Sequence, residues 1–123
     1  MPDPNFVILY VDSPAASAAF YADLLGKAPI ESSPTFALFA LDSGVMLGLW
    51  SRQTVEPTAA SAGGDGEIAF SVADRAAVDA THADWKERGL PILQSPTEME
   101  FGRTFVVGDP DGHRLRVFFP IGP

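Results

Sequence analysis

Two histidines, His82 and His113, are the only imidazoles in the 123 residues, and cysteine is absent. No thiolate can therefore serve as nucleophile or metal ligand, and no disulfide framework can exist. His82 falls within a predicted helix and His113 at the edge of a predicted hairpin. Nothing in the sequence clusters further ligands around either, so each is expected to be solvated or capping. The chain is richer in flat and polarizable side chains such as Trp50, Met46 and Phe118, together with guanidinium groups such as Arg116. These types bind organic molecules: aromatic faces stack, a thioether adapts its shape, and a guanidinium meets a carboxylate or carbonyl through charge-assisted hydrogen bonds.

Charge narrows the partners. Eight Lys and Arg stand against 16 Asp and Glu, a net charge of −8. That balance repels phosphate backbones and anionic lipid surfaces, so neither nucleic acid nor a membrane is an expected partner. The opening MPDPNF has no basic segment leading into a long apolar run, and no apolar stretch reaches about 18 residues. A soluble, cytoplasmic protein is expected. With 46% hydrophobic and 11% aromatic residues, the length suits one compact domain with a substantial core.

The elements that must position these side chains come in two similar sets. Residues 6–11, FVILYV, form an apolar run suited to a covered strand. Ser13-Pro14 then supplies an N-cap and a proline at the first helical position, and the Ala- and Leu-rich stretch 15–25 closes at Gly26. Residues 68–72 repeat the strand, Asp74 can cap, and 76–88 read as helix up to Gly89. Val11 and Val72, Ala22 and Ala83, and Asp23 and Asp84 are each 61 residues apart. Predicted hairpins follow each helix: 35–41 with 45–51 around Asp42-Ser43-Gly44, and 103–108 with 113–119 around Asp109-Pro110-Asp111-Gly112. The layout is two βαβββ modules, 5–51 and 66–119, joined by a small-residue linker over 52–65. An α+β fold is expected, with curled mixed sheets, a concave pocket and helices on the outer face.

Val11, Phe20-Tyr21 and Leu25-Gly26 in the first module, with Asp109-Pro110-Asp111-Gly112 before the last strand of the second, resemble the vicinal-oxygen-chelate superfamily of glyoxalases, bleomycin-resistance proteins and dioxygenases. The resemblance runs nearly the full length. It implies four metal positions on the first and fourth strands of the modules, here Phe6, Gly48, Glu67 and Arg116. Only Glu67 can donate an electron pair to a divalent ion, and Arg116 would put a permanent positive charge in its place. No metal and no cofactor are expected, and His82 and His113 do not rescue the site.

Strand alternation extends these positions into faces. Phe6, Ile8 and Tyr10 share one face with Met46, Gly48 and Trp50; Glu67, Ala69 and Ser71 share one with Arg114, Arg116 and Phe118. The opposite parity, including Val7, Leu9, Val11, Leu47, Leu49, Ile68, Phe70, Val72, Leu115 and Val117, is nearly all apolar and should lie under the helices. The first set mixes aromatics, a thioether, a carboxylate and guanidinium groups, with glycine at position 48 leaving room. Glu67 and Arg116 are expected to pair, and removal of Glu67 to cost roughly 3 to 5 kcal/mol if the pair is buried.

Within the superfamily, Phe36, Trp50-Ser51 and Phe101-Gly102-Arg103-Thr104-Phe105 look most similar to phenazine-antibiotic resistance proteins. That resemblance implies a metal-free homodimer that sequesters an aromatic antibiotic, with Phe36, Trp50 and Arg103 as wall residues. Together with the strand faces, the expected ligand-binding residues are Phe6, Phe36, Met46, Gly48, Trp50, Glu67, Ser71, Arg103, Arg116 and Phe118, and none is catalytic. A second reading is an enzyme of the same fold (lyase, isomerase or dioxygenase-like), with Glu67 as general base and Arg116 as electrostatic stabiliser. A carboxylate held against arginine is a weaker base, which favours binding. A third is a structural dimer whose aromatics fill the cavity or the interface.

Overall fold

The computed structural model describes residues 4–59 and 67–120. Its elements in chain order are β1 (Phe6–Val11), α1 (Pro14–Leu25), β2 (Glu31–Ser32), β3 (Phe36–Ala40), β4 (Met46–Ser51), β5 (Glu67–Ser71), α2 (Arg75–Glu87), β6 (Ile92–Met99), β7 (Gly102–Gly108) and β8 (Arg114–Pro120). The chain divides between residues 62 and 63 into two units. Each carries a four-stranded mixed sheet of the same topology, β1-β4-β3-β2 and β5-β8-β7-β6. The first strand of each unit runs parallel to its fourth, and the fourth is antiparallel to the third. The fold is α+β with the sequence βαβββ stated twice.

Local chemistry accounts for the helices. The Ser13 hydroxyl accepts from the Ala16 amide at 3.1 Å, Pro14 occupies the first turn, and Gly26 closes α1 at φ 68° with its amide on the Ala22 carbonyl at 3.0 Å. A residue with a Cβ would be strained in that left-handed conformation. In the second unit the Asp74 carboxylate accepts from the Ala77 amide at 2.7 Å. One orphan donor of each helix start is thus satisfied by a side chain.

Each helix covers one face of its own sheet. In the first unit α1 packs on β3 and β4, and Tyr21, Ala37, Phe39, Leu47 and Leu49 are buried. Val7 departs from expectation: its parity matches Leu47, yet it is 41% exposed, because β1 is the edge strand and the helix lies mainly over its inner neighbours. In the second unit α2 packs on β6, β7 and β8. There Trp85 meets Phe70 and Phe105 edge-on at 5.8 and 5.5 Å, above buried Val107, Leu115 and Val117.

The linker is not unstructured throughout. Over residues 52–59 the chain turns back on itself, with the amides of Thr54 and Val55 donating to the Ser51 carbonyl, and Val55 is buried. An apolar side chain within the segment was enough to anchor it, although the small residues around it read as a free link. Residues 60–66, on which any exchange of modules depends, lie outside the described residues.

Candidate functional site

With one face of each sheet taken by its helix, the other is left open. In the first unit the register pairs Phe6 with Met46, Ile8 with Gly48, Tyr10 with Trp50, and Phe36 with Trp50. Phe6, Phe36, Met46, Gly48 and Trp50 therefore share the open face. Phe6, Ile8 and Tyr10 are 52%, 44% and 42% exposed, unusual for large apolar side chains unless something covers them. The Phe36 and Trp50 rings meet edge-on at 6.2 Å. A Cβ built on Gly48 would lie 3.1 Å from the Phe36 ring and 3.4 Å from Ile8. Glycine there lets the outer edge of the phenyl ring reach over the strand, a space that a Cβ would contest.

In the second unit Glu67, Ser71, Arg116 and Phe118 share the open face by the same rule, with Ser71 opposite Phe118 and Ala69 opposite Arg116. The expected pair forms: Arg116 Nε donates to Glu67 Oε1 at 2.8 Å. Arg116 Nη1 donates to the Thr104 hydroxyl at 3.1 Å, and that buried hydroxyl donates to the Val117 carbonyl at 3.0 Å. The Phe101 ring lies 5.7 Å from the same guanidinium and 6.1 Å from Phe118. Arg116 is thus fixed on three sides. A cavity of about 340 Å³ opens beside it, lined by Leu93, Gln94, Met99, Val106, Arg114 and Arg116.

The pair is less enclosed than the buried case requires, since the side chains of Arg116 and Glu67 are 17% and 36% exposed. Water reaches the carboxylate and screens the charge. Glu67→Ala is accordingly expected to cost about 1 kcal/mol, well under the buried-pair range. Chemical denaturation of wild type and variant measures the difference.

Arg103 requires a correction. It has the parity of Phe105, on the helix side, and its Nε donates to Asp79 of α2 at 2.8 Å, with Glu98 3.7 Å from Nη1. Alternation from Arg116 through the β7–β8 register puts Thr104 and Val106, not Arg103, on the open face. Gln94, Leu93 and Met99 were harder to find. The register of β6 shifts between Ile92 and Gln94 and again before Thr97, so the simple period of two does not carry through Ser95-Pro96.

Neither histidine is simply solvated. His82 packs edge-on against Phe105 at 5.4 Å. His113 is buried, with Nδ1 2.9 Å from Asp109 Oδ2, while Asp109 Oδ1 accepts from the amides of Asp111 and His113 at 2.9 and 2.8 Å. Asp109, Asp111 and His113 bring potential ligand atoms within 4.8 Å of one another, but both Asp109 oxygens are committed to holding the turn. The superfamily metal positions fare no better. Phe6 and Gly48 offer no side-chain donor, Arg116 is a cation, and the one carboxylate, Glu67, is bonded to that cation. This set does not fit a divalent ion.

Residues 4–117 match the model of the glyoxalase/bleomycin resistance protein/dioxygenase superfamily. A phenazine antibiotic resistance protein, EhpR of Enterobacter agglomerans, is 29% identical over 117 residues, covering 93% of this chain and 89% of its own. The solution structure of protein ATC0852 from Agrobacterium tumefaciens is 58% identical, with a TM-score of 0.90 over 99% of this chain and 100% of that one. A glyoxalase-related enzyme from Fulvimarina pelagi, 24% identical, shares the fold at a TM-score of 0.82 over 99% of this chain and 94% of its own. No helix among the described residues is long and apolar enough to cross a membrane. With the twice-stated βαβββ topology and a family match spanning nearly every residue, the chain belongs to the glyoxalase/bleomycin resistance protein/dioxygenase superfamily.

Proposed function

We propose that the protein binds a planar aromatic small molecule on the open face of its first sheet and holds it unchanged, without a metal, in the manner of an antibiotic-sequestering resistance protein. The observation that carries this reading is the open face of the first sheet, where Phe36 lies across Gly48 beside Trp50. Flat aromatic walls with a few polar groups suit a flat, partly polar ligand. The phenazine resistance protein among its relatives supports the same ligand class. Catalysis is the second reading, favoured only by the presence of Glu67, whose carboxylate is engaged by Arg116.

The two tryptophans make a direct test. Trp50 is on the open face, whereas Trp85 is buried between Phe70 and Phe105. Titration with a panel of aromatic antibiotics, phenazines included, should quench the Trp50 contribution, and mass analysis should recover the compound unaltered. A chemically changed compound would establish the enzyme reading; absence of quenching across the panel would remove the binding one.

A homodimer is part of the proposal. The edge strand β1 presents Phe6, Ile8 and Tyr10 to solvent, and an apolar edge left open is a template on which a second chain can pair. Light scattering at micromolar concentration should give twice the 13.1 kDa chain mass. A mass of one chain would refute it.

A further inference from the structure

We infer that the cavity of the second unit takes an organic anion, a carboxylate on an apolar body, and that Arg114 is the residue that selects its charge. This rests on the proposed reading of the protein as a binder of small aromatic molecules. Two guanidinium groups line the cavity, Arg114 and Arg116, and no acidic side chain lines it. Arg116 is occupied by Glu67 and Thr104. The guanidinium of Arg114, one strand pleat away and opposite Glu67 in the β5–β8 register, has no hydrogen bond or ion pair among the described residues.

One carboxylate against two guanidiniums leaves an excess positive charge on this face. Glu98, the acidic residue of β6, does not cancel it, because it turns to Arg75 at 2.9 Å. In a chain of net charge −8, a local surplus of cation beside a cavity favours an anion there over a neutral molecule. A solvated arginine free of partners keeps its planar fork available for the two oxygens of a carboxylate. Leu93, Met99 and Val106 supply apolar wall on the same cavity, which inorganic phosphate cannot use, and Gln94 offers an amide for a neighbouring polar group. At about 340 Å³ the space is at the lower end of the range for small-molecule sites. The chemistry selects a small aromatic acid over its neutral analogue.

Calorimetric titration with naphthoate, neutral naphthamide and inorganic phosphate decides the point on the full chain. Naphthoate should bind wild type about tenfold tighter than naphthamide or more. That ratio should collapse toward one in Arg114→Ala and survive in part in Arg114→Lys, which keeps the charge and loses the fork. Arg114 is exposed and unpartnered among the described residues, so all three proteins should melt together, and thermal unfolding of each verifies this. Equal binding of naphthoate and naphthamide by wild type, or an undiminished ratio in Arg114→Ala, overturns the inference while leaving an aromatic site intact. Phosphate binding as tight as naphthoate overturns it too, as an anion site without an apolar subsite. If neither naphthyl compound binds, the aromatic-site reading falls with it.

Discussion

Trp50→Ala is expected to weaken binding of a planar aromatic compound by about 10- to 100-fold, or roughly 1.4 to 2.8 kcal/mol, while lowering stability by much less than a core truncation. The asymmetry follows from where the ring sits. Trp50 stands on the open side of β4, partly exposed, and touches Phe36 edge-on. Its neighbours Leu49 and Ser51 point to the covered side and are buried. Deleting the indole therefore removes stacking surface without hollowing the helix-facing core. A parallel Trp85→Ala variant provides the contrast: Trp85 joins α2 to the sheet through Phe70 and Phe105, and its loss should act on stability first. Calorimetric titration for affinity and denaturant melts for stability separate the two effects.

The largest effect on folding away from the ligand face is expected at Asp109. Its side chain is wholly buried and accepts from the Asp111 amide, the His113 amide and the His113 ring. Asp109→Ala would remove all three of these bonds at once from a turn that joins β7 to β8, the strands carrying Thr104, Val106, Arg114 and Arg116. Each unmet buried polar group costs about 1 to 3 kcal/mol, and partial access of water at the turn keeps the sum near 3 kcal/mol. Asp109→Asn keeps the shape and one acceptor oxygen, so it should recover part of the loss. A melting temperature lowered by about 10 °C in the alanine variant is the scale to look for, and an unchanged melt would show that the clamp contributes nothing.

Much of this architecture is legible in the sequence. The strand–helix openings could be read because Ser13-Pro14 and Asp74 cap in the ordinary way and because Gly26 and Gly89 end what they start. The Glu67–Arg116 contact was expected from the first- and fourth-strand positions that the family resemblance implies, and the two side chains meet at 2.8 Å. Phe36 shares a face with Trp50 through the β3–β4 pairing, which only a known register can establish. Arg103 failed for the same reason in reverse: one residue of displacement sends a side chain to the other face of a sheet. The cavity wall of β6 was hidden by its register shifts, and the His113 clamp by the fact that a turn motif does not announce which of its side chains will be buried.

Residue-resolved NMR during titration with a phenazine reads the open face of the first sheet atom by atom. The Trp50 indole N–H and the amides of Gly48 and Leu38, paired across β3 and β4, should shift with saturation while the Trp85 indole stays in place. Shifts confined to the helices α1 and α2, or to Trp85, with Trp50 and Gly48 unmoved at saturation would contradict binding on that face.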